Sequence, residues 1–176
     1  METKTMVAYA SKYGATAEIA ERIGQVLREA GLETDVLPVD RVGDLTPYRA
    51  VVLGSAVYIG GWRKSAATFL KAKERELSSR SVWLFSSGPT GGGPAAFMDD
   101  GRLPKGLRPV ADRIRPRDIA VFGGTANRER LNAFERWIMN RVKAPLGEFR
   151  DWKAIASWAT AIAEELKDQN RPKKDS

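Results

Sequence analysis

The 176-residue chain contains no cysteine and no histidine. Without cysteine there can be no disulfide, no zinc-thiolate or iron-sulfur site and no thiol nucleophile. Without histidine, a Ser-His-Asp triad and imidazole ligation of a metal are excluded as well, and no metal site is expected. Long apolar runs are also missing, since no stretch approaches the length of a membrane span. The opening METKTMVAYA leads from a short polar segment into a strand and lacks the pattern of a secretory signal, so the cytoplasm is the expected compartment. Carboxylates, hydroxyls, Lys, Arg, backbone amides or a borrowed cofactor must carry any chemistry.

Positive charge, by contrast, is in excess. A formal net charge of +7 favours anionic partners such as nucleic acid, phospholipid or an acidic small molecule, without ranking them. No nucleic-acid motif accompanies the charge, which is spread along the chain, so no nucleic-acid role is expected. The length and the 43% hydrophobic content fit one domain over residues 1–167, followed by a polar tail over 168–176.

Strand-length apolar runs alternate with helical patterns along that domain. KTMVAYA (4–10) predicts a first strand, and Ile19, Ile23, Val26, Leu27 and Ala30 mark one face of a helix that Gly31 stops. ETDVLPV predicts a second strand, placed at an edge by Pro38, which cannot donate to a ladder. RAVVLGS (49–55) is the third, followed by a helix from Arg63 to Leu77. SVWLFSS and DIAVFGG are the fourth and fifth, and Asp151 caps a closing helix that begins DWKAI. Buried runs separated by helices predict an α/β fold: a five-stranded parallel sheet in the order 2-1-3-4-5 with helices on both faces. The stretch 126–150, with a helical centre RERLNAFERWIMNRVKAP, is an insertion after strand five.

In such sheets a ligand binds outside the carboxyl ends of the strands. The first turn, SKYGAT, can aim backbone N–H groups and the hydroxyls of Ser11 and Thr16 at one anion, with Gly14 allowing the tight turn and the helix dipole assisting. It has one glycine, not the three of a dinucleotide fingerprint, and no P-loop, so a monophosphate fits best. The third strand runs into GSAVYIGGW, where Gly54, Gly60 and Gly61 permit close approach to a flat ligand and Tyr58 and Trp62 could stack on it or simply pack. SSGPTGGG follows the fourth strand. The three loops together describe a mononucleotide with a planar head, the shape of FMN.

Ser11, Gly14 and Thr16 resemble the flavodoxin phosphate loop [ST]-x-T-G-x-[ST], with Tyr13 departing from its Thr. SKYGATAEIAERI, VVLGSAVYIGGW, GEFRDWKAI and the insertion are together similar to flavodoxin-domain proteins related to menaquinone-dependent protoporphyrinogen oxidase. The resemblance implies a flavodoxin-like three-layer fold with an inserted helix after strand five. It implies FMN held by Ser11, Lys12, Tyr13, Gly14, Ala15 and Thr16. The ring would lie between a loop of Ser55, Ala56, Val57, Tyr58, Ile59, Gly60 and Trp62 and a loop of Ser86, Ser87, Gly88, Pro89 and Gly91. The implied activity is oxidation of protoporphyrinogen IX or a similar reduced substrate in heme biosynthesis, with a quinone as acceptor. An electron-transfer flavodoxin with FMN and no substrate of its own is the alternative.

Electron-carrier flavodoxins are typically acidic, so the positive charge points this chain to other partners. In the insertion, Leu131, Phe134, Trp137 and Ile138 share one side among basic residues, a pattern suited to peripheral contact at the inner face of the cell membrane. The same side would also suit packing on the domain or in a homo-oligomer. No catalytic base is evident, the nearest titratable candidates being Tyr58, Asp99 and Asp100, while Arg63 and Lys64 would suit an acidic substrate.

Overall fold

The computed structural model describes residues 4–58, 61–88, 98–99, 102–123, 125–126, 147–148 and 151–171. The long strands are β1 (Lys4–Ala10), β2 (Thr34–Pro38), β3 (Tyr48–Tyr58), β5 (Ser81–Gly88) and β8 (Asp118–Gly123). They pair in parallel in the order β2-β1-β3-β5-β8, which is the expected 2-1-3-4-5 winding. A short strand β4 (Gly61–Trp62) folds back antiparallel on the end of β3, pairing Val57 with Trp62 and Tyr58 with Gly61. That extra pairing carries β3 three residues beyond the predicted Ser55. Pro38 ends β2, which pairs with β1 alone and so leaves the proline at an edge where no donor is needed.

Helices cover both faces. On one lie α1 (Ala15–Glu29) and the closing helix α5 (Trp152–Gln169); on the other lie α2 (Lys64–Ala72), α3 (Glu74–Ser78) and α4 (Arg108–Ile114). Alternation along β1 sorts the core, with Met6, Ala8 and Ala10 turned toward the α2–α4 layer and Val7 toward α1 and α5. Ile19, Ile23 and Leu27 of α1 meet Ile155, Ala159 and Ile162 of α5 over that strand, all essentially without solvent exposure. The single helix expected from Arg63 to Leu77 divides at Lys73 (φ −98°, ψ 12°). Lys73 N still donates to Phe69 O and Leu77 N to Lys73 O across the bend, and Phe69, Leu70 and Leu77 all stay buried. Asp151 caps α5 as expected, its Oδ1 accepting from Ala154 N at 3.1 Å.

Between β5 and α4 lie two more short strands, β6 (Met98–Asp99) and β7 (Leu103–Pro104), paired antiparallel. The insertion leaves and re-enters through a second ribbon, in which β9 (Thr125–Ala126) pairs antiparallel with β10 (Gly147–Glu148).

The edge of the sheet carries a pH-sensitive contact. The Tyr48 hydroxyl donates to Asp35 Oδ2 at 2.6 Å, and burial, reinforced by Asp35, pushes the phenol up to about 12 from an ordinary 10.0. The folded state therefore keeps a proton that the unfolded chain releases, so the stability this group contributes is complete below pH 10 and is lost as pH rises toward 12. Tyr48→Phe is expected to cost about 1 kcal/mol at neutral pH and to flatten the decline of stability between pH 10 and 12, as read by urea unfolding across that range.

Candidate functional site

The carboxyl ends of β1, β3 and β5 lie side by side at one edge of the sheet, where the turn after β1 and the β3–β4 hairpin border the candidate site. The first turn, between β1 and α1, ends at Gly14, which is the N-cap of α1 in the left-handed region (φ 92°, ψ −12°). An L side chain rarely adopts that backbone, which is why glycine stands there. Among the described residues no side chain caps this helix, although Ser11 Oγ accepts from Gly14 N at 3.0 Å. The first N–H groups of α1 thus face the turn at the positive end of the helix dipole. Ala15 opens the helix half-buried, and Thr16, 2% exposed, belongs to its buried face.

Lys12 links two loops. Its ammonium lies 5.2 Å from the centroid of the Tyr13 ring and 5.3 Å from that of Tyr58, joining the first turn to the β3–β4 hairpin. Composition alone gave no sign of this bridge, because it depends on how far two loops from different strands approach each other. The Tyr58 hydroxyl is buried and finds no hydrogen-bond partner among the described residues, and burial raises its pKa. At neutral pH it keeps its proton and can donate a hydrogen bond to an acceptor that arrives.

The other predicted residues fall mainly into the frame of the site. Ser55, fully buried at the end of β3, donates from Oγ to Ala56 O at 2.9 Å and accepts from Arg63 N at 3.0 Å. It ties the start of the hairpin to the residue that precedes α2. Trp62 is buried, and its indole Nε1 donates to Ser86 Oγ at 2.8 Å, while Ser86 Oγ in turn donates to Arg102 O at 2.9 Å. That chain of bonds fixes the hairpin, the end of β5 and the approach to β7 against one another; the part of Arg102 was invisible in sequence, since only its backbone oxygen takes part. Val57 lies in the core, Ala56 is half-buried, and Ser87 and Gly88 end β5 in buried positions.

Ile59, Gly60, Pro89 and Gly91 lie outside the described residues, as do Asp100 and the insertion residues Leu131, Phe134, Trp137 and Ile138. Asp99 is described only as strand backbone. A separate groove of about 740 Å³ runs on the α1 and α5 side, lined by Tyr9, Glu18, Glu21, Arg22 and Trp152 among others. None of the strand-end turn residues lines it, and its mixed charges offer a phosphate no consistent field, so the strand ends are the better candidate. Among the described residues, no cluster of His, Cys, Asp and Glu could hold a metal ion, and no helix is long and apolar enough to cross a membrane.

A family model described as a flavodoxin domain matches residues 6–152. Protoporphyrinogen IX dehydrogenase (quinone) of Escherichia coli strain K12 is 24% identical over 171 residues, covering 91% of this chain and 94% of that protein. Among solved structures, rubredoxin oxygen:oxidoreductase from Desulfovibrio gigas superposes over 97% of the chain with a TM-score of 0.65 at 14% identity; the chain spans 37% of that protein's length. A flavodoxin from the domain Archaea superposes over 93% of the chain and 99% of its own length, with a TM-score of 0.58 at 17% identity. At such identities the structural likenesses establish the fold.

Proposed function

The chain belongs to the flavodoxin domain family, and from that premise we propose that it is an FMN-dependent oxidoreductase that takes electrons from a reduced organic substrate and delivers them to a quinone. The observation that carries this reading is the turn at Gly14: a left-handed glycine at the N-terminus of a helix that no side chain among the described residues caps, at the carboxyl edge of a parallel sheet. A Cβ built on Gly14 would meet no atom of the described residues within 4 Å, so the space beside the turn is open among them. Acceptance of a hydride and release of its electrons is the chemistry that FMN supplies when bound.

The residues of the chain supply binding and electrostatics. The amides at the start of α1 and the Ser11 hydroxyl would hold the phosphate. Tyr58 would border the slot for the ring, and its protonated hydroxyl would donate to a polar edge of the ligand. Ser55, Trp62 and Ser86 fix the β3–β4 hairpin against the start of α2 and the end of β5, which is how a protein would orient a cofactor before any substrate arrives. In each turnover the substrate loses two electrons and two protons and the quinone gains them as quinol. The name of the Escherichia coli relative makes protoporphyrinogen IX the first substrate to test, and Arg63 and Lys64, beside the hairpin, suit its carboxylates. A second reading is an electron-transfer protein with FMN and no substrate of its own. It is favoured by the lack of His and Cys, which leaves no side chain that ordinarily titrates near neutral pH to serve as a base.

The purified protein is expected to be yellow, to lose its colour with dithionite under anaerobic conditions and to regain it with a menaquinone analogue. Protoporphyrinogen IX added with the quinone is expected to appear as fluorescent porphyrin. A colourless protein that cannot be loaded with FMN defeats both readings. Flavin that exchanges electrons with proteins while leaving protoporphyrinogen untouched selects the second.

A further inference from the structure

The sheet separates two helical layers of opposite charge. The α2–α4 side, over residues 63–80 and 102–115, carries eleven basic side chains against three acidic ones. The helices α1 and α5 on the other side carry four basic against six acidic. Some of the first group are neutralised locally: Arg113 pairs with Glu74, Lys73 with Glu76 and Arg108 with Asp112, while the Arg80 guanidinium is taken up by the carbonyls of Tyr48, Leu45 and Glu76. Lys71, Arg75, Arg102 and Lys105 are exposed and stand in no ion pair among the described residues. Among the described helices, the positive charge is therefore concentrated on the α2–α4 side.

We propose that the α2–α4 layer is a docking face for an anionic phospholipid surface. A protein partner is the competing occupant, and the composition of the face argues against it. Protein interfaces draw their affinity from apolar and aromatic anchors at the centre of the patch. Among the described residues, the one large hydrophobic side chain that is exposed is Trp152, 39% accessible and at the start of α5 in the opposite layer. A face of Lys and Arg without an apolar anchor matches a charged lipid surface, where attraction needs charge alone. Docking in this way brings the candidate site to the lipid, because the hairpin leading into α2 and the segment carrying Arg102 and Lys105 form both the border of this face and the frame of the site. The docking face does not depend on the identity of the cofactor.

The test is sedimentation of the full-length protein with vesicles. Wild-type protein is expected to sediment with phosphatidylglycerol-containing vesicles, to stay in solution with pure phosphatidylcholine, and to be released as salt shortens the Debye length. Neutralising Lys71, Arg75, Arg102 and Lys105 together by Gln is expected to lower partitioning a hundredfold or more, at about fivefold per residue. The control neutralises Arg22, Lys153, Lys167 and Arg171, which changes net charge equally on the other layer, and is expected to stay within about fivefold of wild type. Circular dichroism of both variants establishes that they fold. Equal loss in the two variants overturns the docking face, leaving net charge as the cause. Wild-type protein that ignores anionic vesicles but is retained on immobilised polyglutamate through the same four residues overturns it in favour of an acidic protein.

Discussion

Replacing Gly14 by valine is expected to remove the preference of the site for FMN over riboflavin while leaving the protein folded. Gly14 sits at φ 92°, and a residue with a Cβ, above all a branched one, disfavours that backbone by about 1–2 kcal/mol. Because a Cβ at this position would have no atom of the described residues within 4 Å, the cost among them is one of backbone conformation, not of collision. Relaxation of the turn swings the first amides of α1 away from a common focus. Two charge-assisted hydrogen bonds lost at about 1.5–3 kcal/mol each correspond to a drop in FMN affinity of about a hundredfold or more. Riboflavin lacks the phosphate and should bind the variant about as well as it binds wild type. Fluorescence titration of the apoprotein with both flavins reads the difference, and urea unfolding reads the stability. An equal loss for FMN and riboflavin would place the defect in the ring slot and remove the phosphate from this turn.

The order of the sheet, the faces of the helices and the first turn were legible in the sequence because each rests on local pattern. Apolar runs of fixed length mark parallel strands, residues such as Ile19, Ile23 and Leu27 mark the inner side of α1, and a lone glycine ahead of a helix marks a turn. The bracing of the site was not legible, because it depends on pairs far apart in the chain. Trp62 and Ser86 both looked like residues for the cofactor; the structure directs the indole N–H of one to the hydroxyl of the other, 24 positions away. Ser55 likewise connects to Arg63 N instead of projecting outward. Small polar residues at strand ends suit a ligand and suit a loop anchor equally well, and composition cannot separate these uses. The break in the helix at Lys73 escaped for a related reason: the apolar spacing of Phe69, Leu70 and Leu77 is satisfied by a bent helix as well as by a straight one.

Gly54 is the residue whose meaning changed most, and substituting it carries the largest expected loss of stability. In the sequence it reads as one of several glycines that admit a flat ligand. In the fold it lies beside Phe85 in the register of β3 and β5, and a Cβ built on it would fall 2.0 Å from Phe85 Cζ and within 2.3 Å of both Cε atoms. The glycine makes room for a ring of the protein itself. That ring cannot easily retreat, since Phe85 is fully buried and its centroid lies 6.0 Å from that of Phe122 and 6.1 Å from that of Trp158, which are themselves 5.5 Å apart. Gly54→Ala is accordingly expected to destabilise by about 3 kcal/mol, at the upper end of overpacking costs, and to lower Tm by about 6–12 °C. Shortening the obstacle should relieve the strain: Gly54→Ala combined with Phe85→Leu is expected to be more stable than the sum of the two single effects by about 1–3 kcal/mol. Thermal and urea unfolding of the four proteins in the cycle measure that coupling. Strict additivity, or an alanine variant within about 0.5 kcal/mol of wild type, would mean that the ring has another place to go. The same strain bears on function, because Ser55 follows Gly54 directly and anchors the hairpin through Arg63 N. A Cβ that pushes β3 off β5 also shifts that anchor, so the alanine variant is expected to bind flavin more weakly and the double variant to recover part of the loss.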